Sequence, residues 1–148
     1  MTPDTSMTIV GTYVVHLVEK YNDDGTVEFP FGEPAAGLLL YAADGAMAAV
    51  VSRSDQPALA MDLLAGTVEA SDRDLAAAFR SAYGFAGTFA VEGDIVRHRI
   101  VASTVPNWVG TDQVRPYAIE GEVLTLRPPG WRVVARRAHL APGGKGEP

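Results

Sequence analysis

Apolar and polar positions alternate in short blocks along most of this chain, and turn-forming residues separate the blocks. The clearest block is residues 95–101, Ile-Val-Arg-His-Arg-Ile-Val, whose period of two predicts a strand with Val96, His98 and Ile100 on one face. Residues 113–119 alternate again and put Gln113, Arg115, Tyr117 and Ile119 together. Between them, Pro106-Asn107-Trp108-Val109-Gly110-Thr111 reads as a turn-rich connection, because Pro restricts φ while Asn and Gly tolerate left-handed backbone. This joint aligns two antiparallel strands so that His98 and Arg115 could share a face. Trp108 makes it more than a spacer: a large apolar ring in a loop folds onto a core or over a cavity mouth.

The same reading covers the rest of the chain. Residues 8–19 predict a first strand with Tyr13, Val15 and Leu17 on one face and Val14, His16 and Val18 on the other; both faces are largely apolar, so periodicity does not choose between them. Residues 37–41 and 47–51 flank Ala42-Ala43-Asp44-Gly45, and Asp-Gly is a strong hairpin signal that sets Tyr41 opposite Met47. Residues 85–91 and 95–102 predict a hairpin turning at 92–94, and strands follow at 123–127 and 131–138. One helix is predicted over residues 71–83, with Ser71 as N-cap, Asp72 and Asp74 at the positive dipole end and Gly84 as its stop. Its apolar stripe, Leu75, Phe79 and Ala82, would close one end of a barrel. Residues 52–67 fit either a short helix or a flap across the barrel. Many short strands with regular turns and one helix predict an all-β fold, a closed antiparallel barrel of about eight strands. A single domain over residues 8–140, with flexible termini at 1–7 and 141–148, is the expected organisation.

Composition narrows the function classes. The 148 residues suit one domain with room for a core or modest cavity. A net charge of −6 argues against nucleic acid as a partner, since such binding depends on phosphate neutralisation. The late basic residues Arg127, Arg132, Arg136 and Arg137 read as a solvated strand face. Without cysteine there is neither a disulfide framework nor a Cys-based metal site. No secretory signal is visible at the N-terminus and no apolar run is long enough to span a bilayer, so the expected location is the cytoplasm, with no membrane partner. The Ala-, Arg- and Gly-rich composition has an actinobacterial look.

Few side chains offer chemistry. A barrel-facing Arg115 is costly unless paired. It would either join an interior Arg–Asp or Arg–Tyr network closing the barrel floor, or orient a ligand carboxylate or enolate oxygen. His98 is either a hydrogen-bonded core histidine or a ligand contact. Tyr13, Tyr41, Phe89, Trp108 and Tyr117, with Met47 and Met61, would line a cavity or fill a core. The three histidines lack zinc-ligand spacing, no Gly-rich phosphate loop follows a strand, and there is no Gly-x-Ser-x-Gly elbow. No metal or cofactor is expected.

The run Gly87-Thr88-Phe89-Ala90-Val91, then His98, then Pro106 through Arg115, resembles the bacterial lipocalin-like domain family. Ile9-Val10-Gly11-Thr12-Tyr13 is similar to that family's opening Gly-Thr-Trp strand with Tyr for Trp, and residues 37–47 look like its second hairpin. The resemblance favours Tyr13 facing inward and implies a barrel that encloses small molecules, tipping the aromatic set towards a cavity. The lack of signal and disulfides sets the chain apart from secreted animal lipocalins. Lipocalin-like barrels include carriers and enzymes of secondary metabolism, so three readings follow. One is a cyclase that folds a hydrophobic polyketide or polyene for Diels–Alder-type or higher-order cycloaddition by pre-organisation. Another is a carrier or sensor of the same kind of molecule, and the third is an isomerase with His98 as acid–base and Arg115 as electrophile. The residues expected to act are Trp108, Tyr41, Arg115 and His98. Tyr13, Met47, Met61, Phe79, Phe89, Gln113 and Tyr117 are expected to touch the ligand. An exposed barrel face could also support a homodimer.

Overall fold

The computed structural model describes residues 6–140. In chain order it contains a helical turn α1 (Ser6–Ile9), β1 (Gly11–Tyr21), β2 (Val27–Glu28), β3 (Ala35–Tyr41) and β4 (Ala46–Arg53). There follow β5 (Met61–Asp62), β6 (Thr67–Val68), α2 (Asp72–Arg80), β7 (Ala82–Glu92) and β8 (Ile95–Ser103). A 3-10 turn (Pro106–Trp108), β9 (Asp112–Glu120), β10 (Val123–Leu126) and β11 (Trp131–Arg137) complete it. The sheet runs β11-β10-β9-β8-β7-β4-β3-β1 through antiparallel neighbours, with β5, β6 and α2 inserted between β4 and β7, and β1 pairs with β11, closing eight antiparallel strands into a barrel. The register Tyr13↔Arg137 and Leu17↔Val134 marks the seam.

The alternation of residues 95–101 does what its period requires: Val96, His98 and Ile100 are all buried. Gly45 makes the predicted turn possible, its φ of +96° being one that L side chains rarely adopt. Tyr41 and Met47 face each other across it. Four expectations are corrected. The first strand begins at Gly11 rather than at residue 8, because α1 precedes it and buries Ile9. A register shift between Val15 and Leu17 then swaps faces, so Val18 joins Tyr13 and Val15 inside. The helix stops at Arg80 with Ser81 as C-cap, three residues short of the expected end at residue 83, and the chain turns directly into β7. Residues 52–67 form neither helix nor flap: β5 and β6 pair only with each other, in a small exposed hairpin. The termini expected to be flexible fall outside the described residues at 1–5 and 141–148.

The two barrel ends differ. At one end the hairpins β3–β4, β7–β8 and β9–β10 turn tightly, and Tyr13, Tyr41, Met47, Val96 and Leu124 pack into a filled core. At the other end lie the longer connections, α2 and the 3-10 turn. A cavity of about 480 Å³ opens there. No helix among the described residues is long and apolar enough to cross a membrane.

Candidate ligand cavity

The cavity is walled mainly by apolar and aromatic side chains. Val15, Val18, Leu39 and Val51 line it from the β1–β3–β4 wall, Tyr83 and Phe85 from β7, and Leu126, Trp131 and Val133 from the last two strands. Phe31 and Trp108 come from loops, and Phe79 from α2. Alternation builds most of this: each strand sends every second side chain inward. Trp108 is held by its turn, where the Thr111 hydroxyl donates to the Trp108 carbonyl at 2.6 Å. Its ring meets Tyr83 and Phe85 edge-on, with centroids 5.6 and 5.8 Å apart. Tyr83 also meets Phe31 at 5.2 Å, so four rings form one cluster beside the mouth. Phe79 is 55% exposed at the rim, and α2 contributes no buried residue.

His98, Gln113 and Arg115 put polar atoms into this wall. His98 and Gln113 are paired across β8 and β9, with Arg115 opposite Val96. His98 is only 2% exposed, and its Nε2 lies 2.6 Å from the Tyr41 hydroxyl. Burial, with the nearby charge of Arg115 acting the same way, pushes the imidazole down to about 4, so it is neutral at physiological pH. Burial also raises the Tyr41 phenol, whose partial compensation comes from Arg115, and pushes the Tyr83 phenol up to about 12. Arg115 donates to the Val114 carbonyl at 3.1 Å and to Gln113 Oε1 at 3.0 Å. Among the described residues it has no carboxylate partner, and burial lowers the guanidinium.

The structure brings five of the expected residues to the cavity: Trp108, Arg115, His98, Phe79 and Gln113. Tyr13, Tyr41, Met47, Phe89 and Tyr117 instead pack in the filled end, Tyr41 reaching the cavity only through His98. Met61 sits on the separate β5–β6 hairpin, away from the cavity wall. The Arg–Tyr network that closes the barrel floor exists, but with Arg137 rather than Arg115. Arg137 lies over the Tyr13 ring and donates to the Tyr13 hydroxyl and to the carbonyls of Thr8 and Val10, so it is not part of a solvated face. Tyr83, Phe85, Phe31 and Trp131 were not expected at the site. A period-two reading begun at Tyr83 would have found the first two; ending the helix at 83 concealed it. No group of histidine and carboxylate side chains among the described residues could hold a metal ion.

Comparison with known proteins agrees with this architecture. The model of a family described as a lipocalin-like domain matches residues 10–139. A crystal structure of a lipocalin-like protein from Bacteroides uniformis superposes with a TM-score of 0.52 at 14% identity, covering 88% of this chain and 98% of that one. An uncharacterized protein from Bacteroides eggerthii gives a TM-score of 0.48 at 13% identity, over 87% and 98% of the two chains. No curated protein matches the chain.

Proposed function

The chain belongs to the lipocalin-like domain family, and from that premise we propose that its barrel binds a hydrophobic small molecule in the cavity at its open end. The observation that carries this reading is the cavity itself: about 480 Å³, aromatic-walled, with a few polar groups grouped on β8 and β9. That size and lining fall in the range of about 300–1,000 Å³ typical of small-molecule sites. The catalytic form of this reading is the cyclase. A polyketide or polyene folded against the ring cluster would be held in one reactive conformer, while Arg115 or the Trp108 indole polarises a carbonyl. The carrier uses the same contacts without turnover.

The acid–base isomerase is the weakest of the three. A histidine whose proton affinity is depressed to about 4 is a poor base near neutrality, and Tyr41 already occupies one of its nitrogens. Mass spectrometry of the protein incubated with extract of its source organism tests the proposal. A bound metabolite recovered at unchanged mass but altered retention supports the cyclase, and one recovered intact supports the carrier. Failure to retain any small molecule, with the cavity intact by thermal melt, would remove both. The homodimer would form on the outward apolar strip of Leu38, Leu40 and Val50, and light scattering giving a single-chain mass would remove it.

A further inference from the structure

Apart from the Tyr83 hydroxyl, which can donate or accept, the polar side-chain atoms left unpaired in the cavity are donors. Arg115 spends two of its five N–H groups, one on Val114 and one on Gln113, and three are left. The same bond turns the Gln113 carboxamide so that its oxygen faces Arg115 and its amino group is free. Level with Gln113, the short contact between the Tyr41 hydroxyl and His98 Nε2 suits a phenol donating to an imidazole, which leaves the ring proton on Nδ1. Nδ1 is buried and has no partner among the described residues. No aspartate or glutamate is among the described residues that line the cavity, and a second guanidinium, Arg80, stands at its mouth. The site thus holds an uncompensated cation and a set of free donors, though the chain as a whole carries a net charge of −6.

We infer that the cavity takes an organic monoanion: an apolar chain or ring system ending in a planar two-oxygen acid head, held by Arg115 with Gln113 donating beside it. A carboxylate and the enolate of a 1,3-dicarbonyl share this chemistry, and a guanidinium fork matches both. A neutral alcohol leaves the cation unmatched, and an ammonium ion meets like charge. The inference rests on the cavity being the binding site, and the experiment separates the two.

Isothermal titration of the full chain at about pH 7.5 would compare decanoate, 2-octyl-1,3-cyclohexanedione, 1-decanol and decylamine. One or both acids should bind at least about ten-fold tighter than 1-decanol, with decylamine weakest. The tighter acid identifies the head. In Arg115→Met the preference for the acids over 1-decanol should vanish. Gln113→Leu, a milder change, should reduce the preference by about three-fold or more. Equal binding of 1-decanol and both acids by the wild-type chain would overturn the inference and leave the cavity reading standing. A preference that survives in Arg115→Met would also overturn it. Binding of none of the four probes would defeat both.

Discussion

Two arginines, one at each end of the barrel, are used in opposite ways. Arg137 lies under the filled end, stacked on Tyr13 and bonded to two carbonyls and a hydroxyl. Gly11 lets it in, because a Cβ there would stand 2.4 Å from the Arg137 Nη1 atom. Arg115 faces the open end, desolvated but bonded only to its neighbour's carbonyl and to Gln113. In the first case the surroundings complete the cation; in the second they leave it incomplete. A buried group left incomplete in this way is costly to the fold. The filled end therefore carries stability, and the open end is where the proposed ligand would complete the cation.

The largest effect that would sharpen this contrast is expected at the closed end. Tyr13 is fully buried, and Tyr13→Ala removes its ring and hydroxyl together; urea unfolding should show a loss of about 3–5 kcal/mol. A loss under about 1 kcal/mol would mean that the floor does not hold the barrel shut.

Acid should act on the junction between the ends. His98 drops from 6.5 to about 4 on folding, so the unfolded chain binds the extra proton. This contribution is present in full above pH 6.5 and is lost as pH falls towards about 4. At about 1.4 kcal/mol per tenfold change in proton affinity, it amounts to about 3 kcal/mol. His98→Asn should flatten that part of the stability–pH curve, as followed by denaturant titration at several pH values. An unchanged slope would remove His98 as its cause.

Exchanging the same residue at the two ends gives the smallest and most direct comparison. Arg137→Met should cost about 2 kcal/mol, since it strands the carbonyls of Thr8 and Val10. Arg115→Met should change stability by less than about 1 kcal/mol, and in the stabilising direction, because it removes an unmatched cation. Equal losses in the two variants would break the comparison.

Much of this was legible in the sequence because a strand's period of two is local. The burial of His98 between Val96 and Ile100, and the shared face of Gln113 and Arg115, follow from counting residues. The ladder then had to be closed, and the closure is not local. Whether Tyr41 or Tyr83 meets the cavity depends on how far along the barrel axis each lies, which is set by strand tilt and register and not by the residue's neighbours. Tyr83 was also hidden by a helix-to-strand switch at Ser81, where the backbone changes conformation without a proline or glycine. Arg137 looked like one of several exposed basic residues because its partners, Thr8, Val10 and Tyr13, are more than 120 positions away. Arg115, by contrast, is turned inward by its own alternating strand, while its lack of a counter-charge among the described residues is a property of the packed interior.

The seam between β1 and β11 has a consequence for how the chain is made. Every other pairing in the barrel spans a far shorter stretch of chain, the β4–β7 pairing across β5, β6 and α2 included, and can form as the strands emerge from the ribosome, but Tyr13 must wait for Arg137. Until β11 is synthesised, β1 and β10 are bare strand edges, each able to template a wrong partner. The vulnerable interval is thus the one before β11 is made, and a chain cut short before residue 131 would be an open sheet in place of a barrel.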